Sequence, residues 1–363
     1  MFTSLEIENY RCLKRYRLAH LGRVNLLVGR SNCGKSSLLE AIELLASGGD
    51  PQVFFQAARA RGEVISGEGP GALLDVSHFF HGHEFRPGAY FALRRDGAAD
   101  GLTVRVKELG DLDEGTRCID PGTGFHSPLA LCFEGALHPE AGAVKAVAVS
   151  RAGAFPTGTH FYPRPPTREG LRGIVQFIRP ESADQQSMSR MWDAVIVEGR
   201  EDEVAAAMRV VEPRVSRVFF LSGDVGGQGP GGSRALVGLE GVKRRLPLGT
   251  CGGGMHRLLA LALGLIRAAD GVLLVDEIDT GLHHSVMGDM WRLVIESARN
   301  SNVQVFASTH SLDCVRALAW LCGADATAGS QVSLQKIEPE LEEAVALDAD
   351  KIVTAVDQGI EVR

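Results

Sequence analysis

The chain contains no run of about 18 apolar residues, so a membrane-crossing helix is not expected. Its opening residues, Met1 to Asn9, mix apolar and polar side chains and lack the basic-then-apolar build of an export signal. Cysteine is scarce and scattered: Cys12, Cys33, Cys118, Cys132, Cys251, Cys314 and Cys322 include no C-x-x-C pair. An odd, scattered set in a chain of 363 residues reads as reduced thiols, which points to the cytoplasm. An excess of positive charge is missing too. The net charge is -7, which supplies no electrostatic drive toward tight nucleic-acid binding. Local basic groups at Arg164, Arg168 and Arg172, and from Lys243 to Arg245, read as solvated faces. Neither an internal repeat nor a sustained heptad is present, so a solenoid and a long coiled coil are excluded. The guanine-recognition pattern N-K-x-D is also lacking.

What is present is globular: 45% hydrophobic and 23% charged residues, long enough for one large domain or two lobes. The start reads strand, turn, strand, loop, helix. Leu5 and Ile7 alternate with Glu6 and Glu8, Val24 to Val28 is a short apolar run, and Leu38, Leu39, Ile42 and Leu45 fall at helical spacing. From about Ala72 to Arg151 short alternating segments, such as Leu102-Val104-Val106 and Val147-Val149, predict a β-rich lobe. Residues 156–172 are rich in proline and arginine and predict an exposed loop. A helical segment follows, roughly Ala183 to Val211, and Gly223 to Gly232 predicts a mobile connection. The last third reads helix, strand, helix, strand, helix. Its strands, Val272 to Val275 and Val303 to Ala307, are apolar apart from Gln304, as strands buried on both faces of a parallel sheet are. The expected division is 1–180, 181–245 and 246–363: an N-terminal part with the β-rich lobe, a helical insertion, and a C-terminal part.

Gly29-Arg30-Ser31-Asn32-Cys33-Gly34-Lys35-Ser36 fits G-x-x-x-x-G-K-S, between a predicted strand and a predicted helix. Such a loop wraps its N–H groups around phosphate oxygens, and its glycines permit the curvature and the close approach. Lys35 is expected to reach the terminal phosphates, the Ser36 hydroxyl to bind Mg²⁺, and the helix start to face the phosphates. Asp276-Glu277 closes the apolar run Val272 to Val275. A carboxylate there would hold Mg²⁺, and the adjacent Glu277 is placed to act as general base toward water. The second strand ends in Ser308-Thr309-His310, where His310 is a candidate for the γ-phosphate or the attacking water. A glycine-rich turn, Gly249 to Met255, precedes the apolar helix Leu258 to Ile266. It is a second anion cradle, and it makes sense closing over ATP held by another subunit. The alternative is a tight turn that lets the helix pack. His81 and His83 with Glu84 lack a third spaced ligand element and are not read as a metal site.

In this order the motifs resemble those of ABC-type ATPases, and within them the RecF-like and OLD-like branch grouped as AAA-family ATPases. The start Leu5-Glu6-Ile7-Glu8-Asn9-Tyr10-Arg11 is similar to that branch's I-x-N-[FY]-R opening. Asp279-Thr280-Gly281-Leu282-His283 looks like its D-loop, and Gly359 to Arg363 is similar to its ending. The resemblance covers roughly 1–48 and 246–363. It implies an α/β P-loop NTPase fold: an ABC-type ATPase head with a β-rich N-terminal lobe and a helical insertion. It further implies ATP and Mg²⁺ as cofactors and two subunits sandwiching two ATP molecules head to tail. Nucleotide contacts would come from Gly29, Asn32, Cys33, Gly34, Lys35, Ser36, Ser37 and Arg11. Gly252, Gly253 and Gly254 would act from the other subunit. Ser36 and Asp276 would hold the metal, Glu277 and His310 would be catalytic, and Asp279 would communicate across the dimer. Two departures stand out. Gly252 occupies the place of the signature serine, with Thr250 as a possible substitute, and the region Val76 to His81 offers histidines where a Q-loop glutamine is sought.

The functional expectation is a cytoplasmic ATPase that dimerises and drives or gates an effector, a nuclease protein or DNA, in DNA repair or anti-phage defence. The alternative is a regulatory subunit of a nuclease or effector complex with little turnover of its own. A self-contained OLD-type nuclease is disfavoured, because the tail after His310 is too short for a Toprim domain. Asp348-Ala349-Asp350 there reads as a helix start. The intact Glu277 argues against a non-hydrolysing scaffold, and the β-rich middle against a transporter subunit.

Overall fold

The computed structural model describes residues 1–67, 72–96, 101–122, 125–135, 145–157, 174–180, 185–222 and 233–362. The proline- and arginine-rich loop and the glycine-dense connection expected from the sequence fall almost wholly outside them. Two large sheets organise the described residues. The first is built from β1 (Leu5–Tyr10), β2 (Leu13–Leu18), β6 (Tyr90–Arg95), β7 (Leu102–Glu108), β8 (Cys118–Ile119), β9 (Leu129–Glu134) and β10 (Ala146–Val149). Its order is β2-β1-β6-β7-β9-β10-β8, antiparallel except for β10 with β8. This is the expected β-rich lobe. The second comprises β3 (Val24–Val28), β12 (Val175–Ile178), β16 (Val272–Val275), β17 (Gln304–Ser308), β18 (Val332–Lys336) and β19 (Val345–Leu347). Its order is β12-β16-β17-β3-β18-β19, parallel as far as β18. Two small sheets complete the set. One holds β4 (Val64–Ser66), β5 (Leu73–Asp75) and β11 (Ala154–Pro156); the other holds β13 (Val215–Ser222), β14 (Ser233–Leu239) and β15 (Leu246–Pro247).

Helix α1 (Lys35–Ala46) lies between the two large sheets, and α2 (Pro51–Ala60) packs beside it against the first. Leu38, Leu39, Ile42 and Leu45 are buried as their spacing predicts, and so are Ala41 and Leu44. A helix packed from two sides buries more than one stripe. The parallel sheet alternates accordingly. Leu27, Leu274 and Phe306 face the layer of α1, whereas Leu26, Leu273, Val275 and Val305 join the core on the other side. That second core is covered by α3 (Gln185–Glu198), α4 (Glu201–Met208), α5 (Gly253–Arg267), α6 (Met287–Asn300), α7 (Leu312–Ala324) and α9 (Ala349–Asp357), with the short α8 (Ala326–Gly329) beside them. Burial on both faces explains why these strands read as unbroken apolar runs.

Gln304, the polar exception, is fully satisfied. Its side chain donates to the carbonyls of Phe2 and Gly22, each at 2.8 Å, and accepts from the Phe2 N–H at 2.7 Å. It thereby pins the N-terminus beside the parallel sheet. The helical segment read from Ala183 to Val211 is two helices, α3 and α4, divided at Gly199 with φ 67°. The expected helical insertion also carries the hairpin of β13 and β14. Asp348 caps α9 by accepting the Lys351 N–H at 3.0 Å, the helix start its sequence suggests. Among the described residues no helix is long and apolar enough to cross a membrane.

Candidate nucleotide site

β3 runs directly into the glycine-rich loop, and α1 starts at Lys35 behind Gly34, whose φ is 99°. Gly29 is required for space as well as conformation. A Cβ there would sit 2.6 Å from the Ile337 carbonyl oxygen. Arg30, Ser31 and Asn32 are exposed at the loop's mouth, and Asn32 has φ 62°. Lys35 is buried, with Nζ 2.9 Å from the carbonyl oxygens of both Gly29 and Arg30 and 3.6 Å from Cys33 Sγ. Burial pushes its pKa below the ordinary lysine value, opposed by the Cys33 thiol, Asp276 and Glu277. The ammonium therefore lies inside the loop, surrounded by acceptors a phosphate oxygen would replace.

Strand order brings the second half of the site to the loop. β17 lies between β16 and β3, so the ends of all three open side by side. Ser36 Oγ donates to Asp276 Oδ2 at 2.7 Å, across 240 residues of sequence. Ser308 at the end of β17 donates to Asp276 Oδ1 and accepts the Glu277 N–H at 2.9 Å. Glu277 adopts φ 51°, a left-handed backbone that costs a non-glycine residue about 1 kcal/mol or more. Thr280 Oγ1 donates to its Oε2 at 3.2 Å. Asp279 accepts from Thr309 Oγ1 at 2.5 Å, and the Ile278 N–H reaches the Ser308 carbonyl at 3.0 Å, so the expected D-loop is fastened to β17. His310 follows β17 at the surface. Hard oxygen donors from Ser36 and Asp276 converge on one point, the donor chemistry Mg²⁺ prefers. The residues present fit a nucleotide with its metal.

The late glycine turn lies against the D-loop of its own chain. Gly252 (φ 92°) and Gly253 are exposed, while a Cβ on Gly254 would come within 3.0 Å of the Gly281 carbonyl oxygen. Thr250, the substitute weighed for the signature serine, donates its hydroxyl to the Pro247 carbonyl at 2.7 Å. Arg11 is placed differently from its expected approach to the nucleotide. It is buried against Phe79, with its guanidinium paired to Glu40 at 2.8 Å and Glu63 at 2.5 Å. The residue that reaches the phosphate loop from this network is Arg61, 3.3 Å from Ser37 Oγ and 2.6 Å from Glu40. His78 and His83 face each other with Nδ1 atoms 3.0 Å apart, and His81 bonds the Arg11 carbonyl at 2.9 Å. Among the described residues no cluster of three or more histidine, cysteine or carboxylate side chains is arranged to hold a metal.

Sequence reasoning passed over Arg61, the bridging part of Ser308, and Arg257. Arg257 is nearly fully buried on α5. Its Nη2 donates to the carbonyls of Asp276 at 2.5 Å and Glu277 at 2.7 Å, and its Nε lies 3.4 Å from that of Ile278. The available signal was an arginine at the head of the apolar run of the helix that follows the glycine turn.

Residues 1–72 match the family model described as "AAA ATPase domain". Residues 137–314 match that of "AAA domain, putative AbiEii toxin, Type IV TA system". Among solved structures, an Smc head bound to the C-winged helix domain of ScpA superposes with TM-score 0.50 at 13% identity, over 96% of this chain and 99% of that one. Two AAA ATPase-domain models thus match separate stretches of the chain, and its fold is that of a P-loop ATPase head. An Smc head domain with an extended coiled coil, derived from Pyrococcus furiosus, is similar with TM-score 0.47 and 12% identity, over 99% of both chains. An uncharacterized protein of Methanocaldococcus jannaschii is 38% identical over 47 residues, 13% of this chain. The match spans 22% of that relative's length.

Proposed function

We propose that the chain binds ATP with Mg²⁺ in the Gly29 to Ser37 loop, hydrolyses it, and dimerises head to tail around it to drive or gate a partner. The observation that carries this reading is the meeting of Ser36 with Asp276 at 2.7 Å, with Glu277 next in sequence. Lys35 and the loop N–H groups hold the phosphates, while Ser36 and Asp276 would hold the metal, whose charge would offset that of the phosphoryl group. Glu277 accepts the proton of the attacking water, and His310, beyond the end of β17, contacts the γ-phosphate or that water. The exposed Gly252-Gly253 backbone is available to a nucleotide carried by a second copy, and Asp279 opens the segment whose Gly281 packs against that turn. DNA repair and anti-phage defence remain the settings that the RecF-like and OLD-like motifs suggest, with an effector, a nuclease protein or DNA as partner.

The deciding experiment is Glu277→Gln. Binding of a fluorescent ATP analogue should persist while steady-state phosphate release falls by about 100-fold or more, the effect of losing a positioned base. Turnover at the wild-type rate in that variant would sink the assignment. A slow regulatory ATPase is the second reading, favoured by Gly252 where a serine hydroxyl would otherwise meet the partner's phosphate. Its mark is a wild-type rate that rises only when the effector is added.

A further inference from the structure

Arg257 is a buried cation whose hydrogen-bond partners among the described residues are carbonyls, not carboxylates. Taking a guanidinium out of water is costly unless its donors are used, and here they span three consecutive carbonyls, Asp276 to Ile278. An arginine fits this task because its planar fork presents several fixed donors, whereas a lysine offers one compact ammonium. The turn it grips contains Glu277 in its left-handed conformation. The helix it stands on begins at Gly253, in the glycine turn that packs against Gly281 of the D-loop. A single side chain thus ties the start of α5 to the backbone of the candidate base.

We propose that Arg257 is a positioning residue that holds the Glu277 backbone in its hydrolytic conformation and couples it mechanically to the Gly252–Gly254 turn. This rests on the reading of Glu277 as base and of the glycine turn as the cradle for a partner's nucleotide. Movement of the turn when that nucleotide docks is passed through α5 to Arg257 and so to Glu277. The Gly254 contact with Gly281 gives the same movement a second route into the D-loop.

The test compares wild type with Arg257→Met, Arg257→Lys and Gly254→Ala. It measures kcat, the dissociation constant for a fluorescent ATP analogue, and thermal midpoint. Arg257→Met should lower kcat by about tenfold or more while the dissociation constant stays within about twofold, the pattern of a lost transition-state interaction. Arg257→Lys should recover part of the rate. Gly254→Ala, whose new methyl meets the Gly281 carbonyl, should lower kcat in the same selective way. Unchanged kcat in folded Arg257→Met overturns the positioning role, and so does a parallel loss of ATP binding. Failure of Arg257→Met to fold, with Arg257→Lys no faster than an unfolded control, assigns Arg257 to stability and also overturns it. Wild-type kcat in Gly254→Ala overturns the coupling. A wild-type protein that binds ATP without turnover, alone and with a partner, refutes instead the hydrolytic function on which the inference stands.

Discussion

Asp276 receives hydroxyls on both of its oxygens, from Ser36 and from Ser308, and the second of these hydroxyls also accepts the Glu277 N–H. Ser308→Ala should therefore loosen the Asp276-Glu277 turn without disturbing the phosphate loop. Losing about 1–1.5 kcal/mol of net hydrogen bonding predicts a kcat fall of roughly tenfold. ATP affinity should stay near wild type in a nucleotide titration. Glu43 on α1 offers a pH test. Burial raises its pKa to about 7, against the opposing pull of Arg179 at 2.6 Å. Because the folded value lies above the unfolded one, the native state retains a proton that the unfolded chain loses. Stability should thus decline as pH rises from about 4.5 toward 7. Urea midpoints at pH 5 and 7.5 should differ less in Glu43→Gln than in wild type. At this scale the sequence was most legible where spacing fixes chemistry: Lys35, Ser36, Asp276 and Glu277 are all found at one locus. Ser308 and Arg257 were hidden because their importance lies in which distant carbonyl or carboxylate they meet.

Elements were read from periodicity, and periodicity is local. β1, β3, β7, β10, β16 and α1 appear where alternating or helical patterns place them, and β17 is shifted by one residue. The division of α3 from α4 is marked in sequence only by Gly199, and β13 with β14 follows a segment dominated by helical signal. Pairing between elements is the harder layer, and Arg11 illustrates it. At the β1–β2 turn this arginine joins α1 through Glu40 and the α2–β4 connection through Glu63. No charge pattern shows that such a residue is enclosed. Removing one member of a buried ion network leaves carboxylates uncompensated, so Arg11→Met should cost about 3–5 kcal/mol in chemical denaturation. Because Arg61 still pairs with Glu40 and reaches Ser37, ATP affinity in the folded fraction should change little. A selective loss of ATP binding with unchanged stability would return Arg11 to the nucleotide site.

For the whole molecule, three surface features bear on self-association: the loop mouth at Arg30 to Asn32, the Gly252-Gly253 backbone, and the D-loop tip at Thr280 and Gly281, all exposed. Two of them touch within the chain through Gly254 and Gly281, so a second copy that engages one engages both. Gly253 is the position at which to interrogate this arrangement. A Cβ there meets no atom within 4 Å, and the residue opens α5. Gly253→Glu is therefore compatible with the folded monomer, and a carboxylate in the first turn is favourable to the helix dipole by about 0.3–1 kcal/mol. Facing the phosphates of a nucleotide carried by a second copy, the same carboxylate is repelled. In a Glu277→Gln background, ATP should double the light-scattering mass from 38.9 kDa, and adding Gly253→Glu should abolish that doubling while each monomer still binds ATP. A dimer that forms equally well with Glu at position 253 would mean that the glycine turn does not meet the partner's nucleotide, and that the two chains associate through another face.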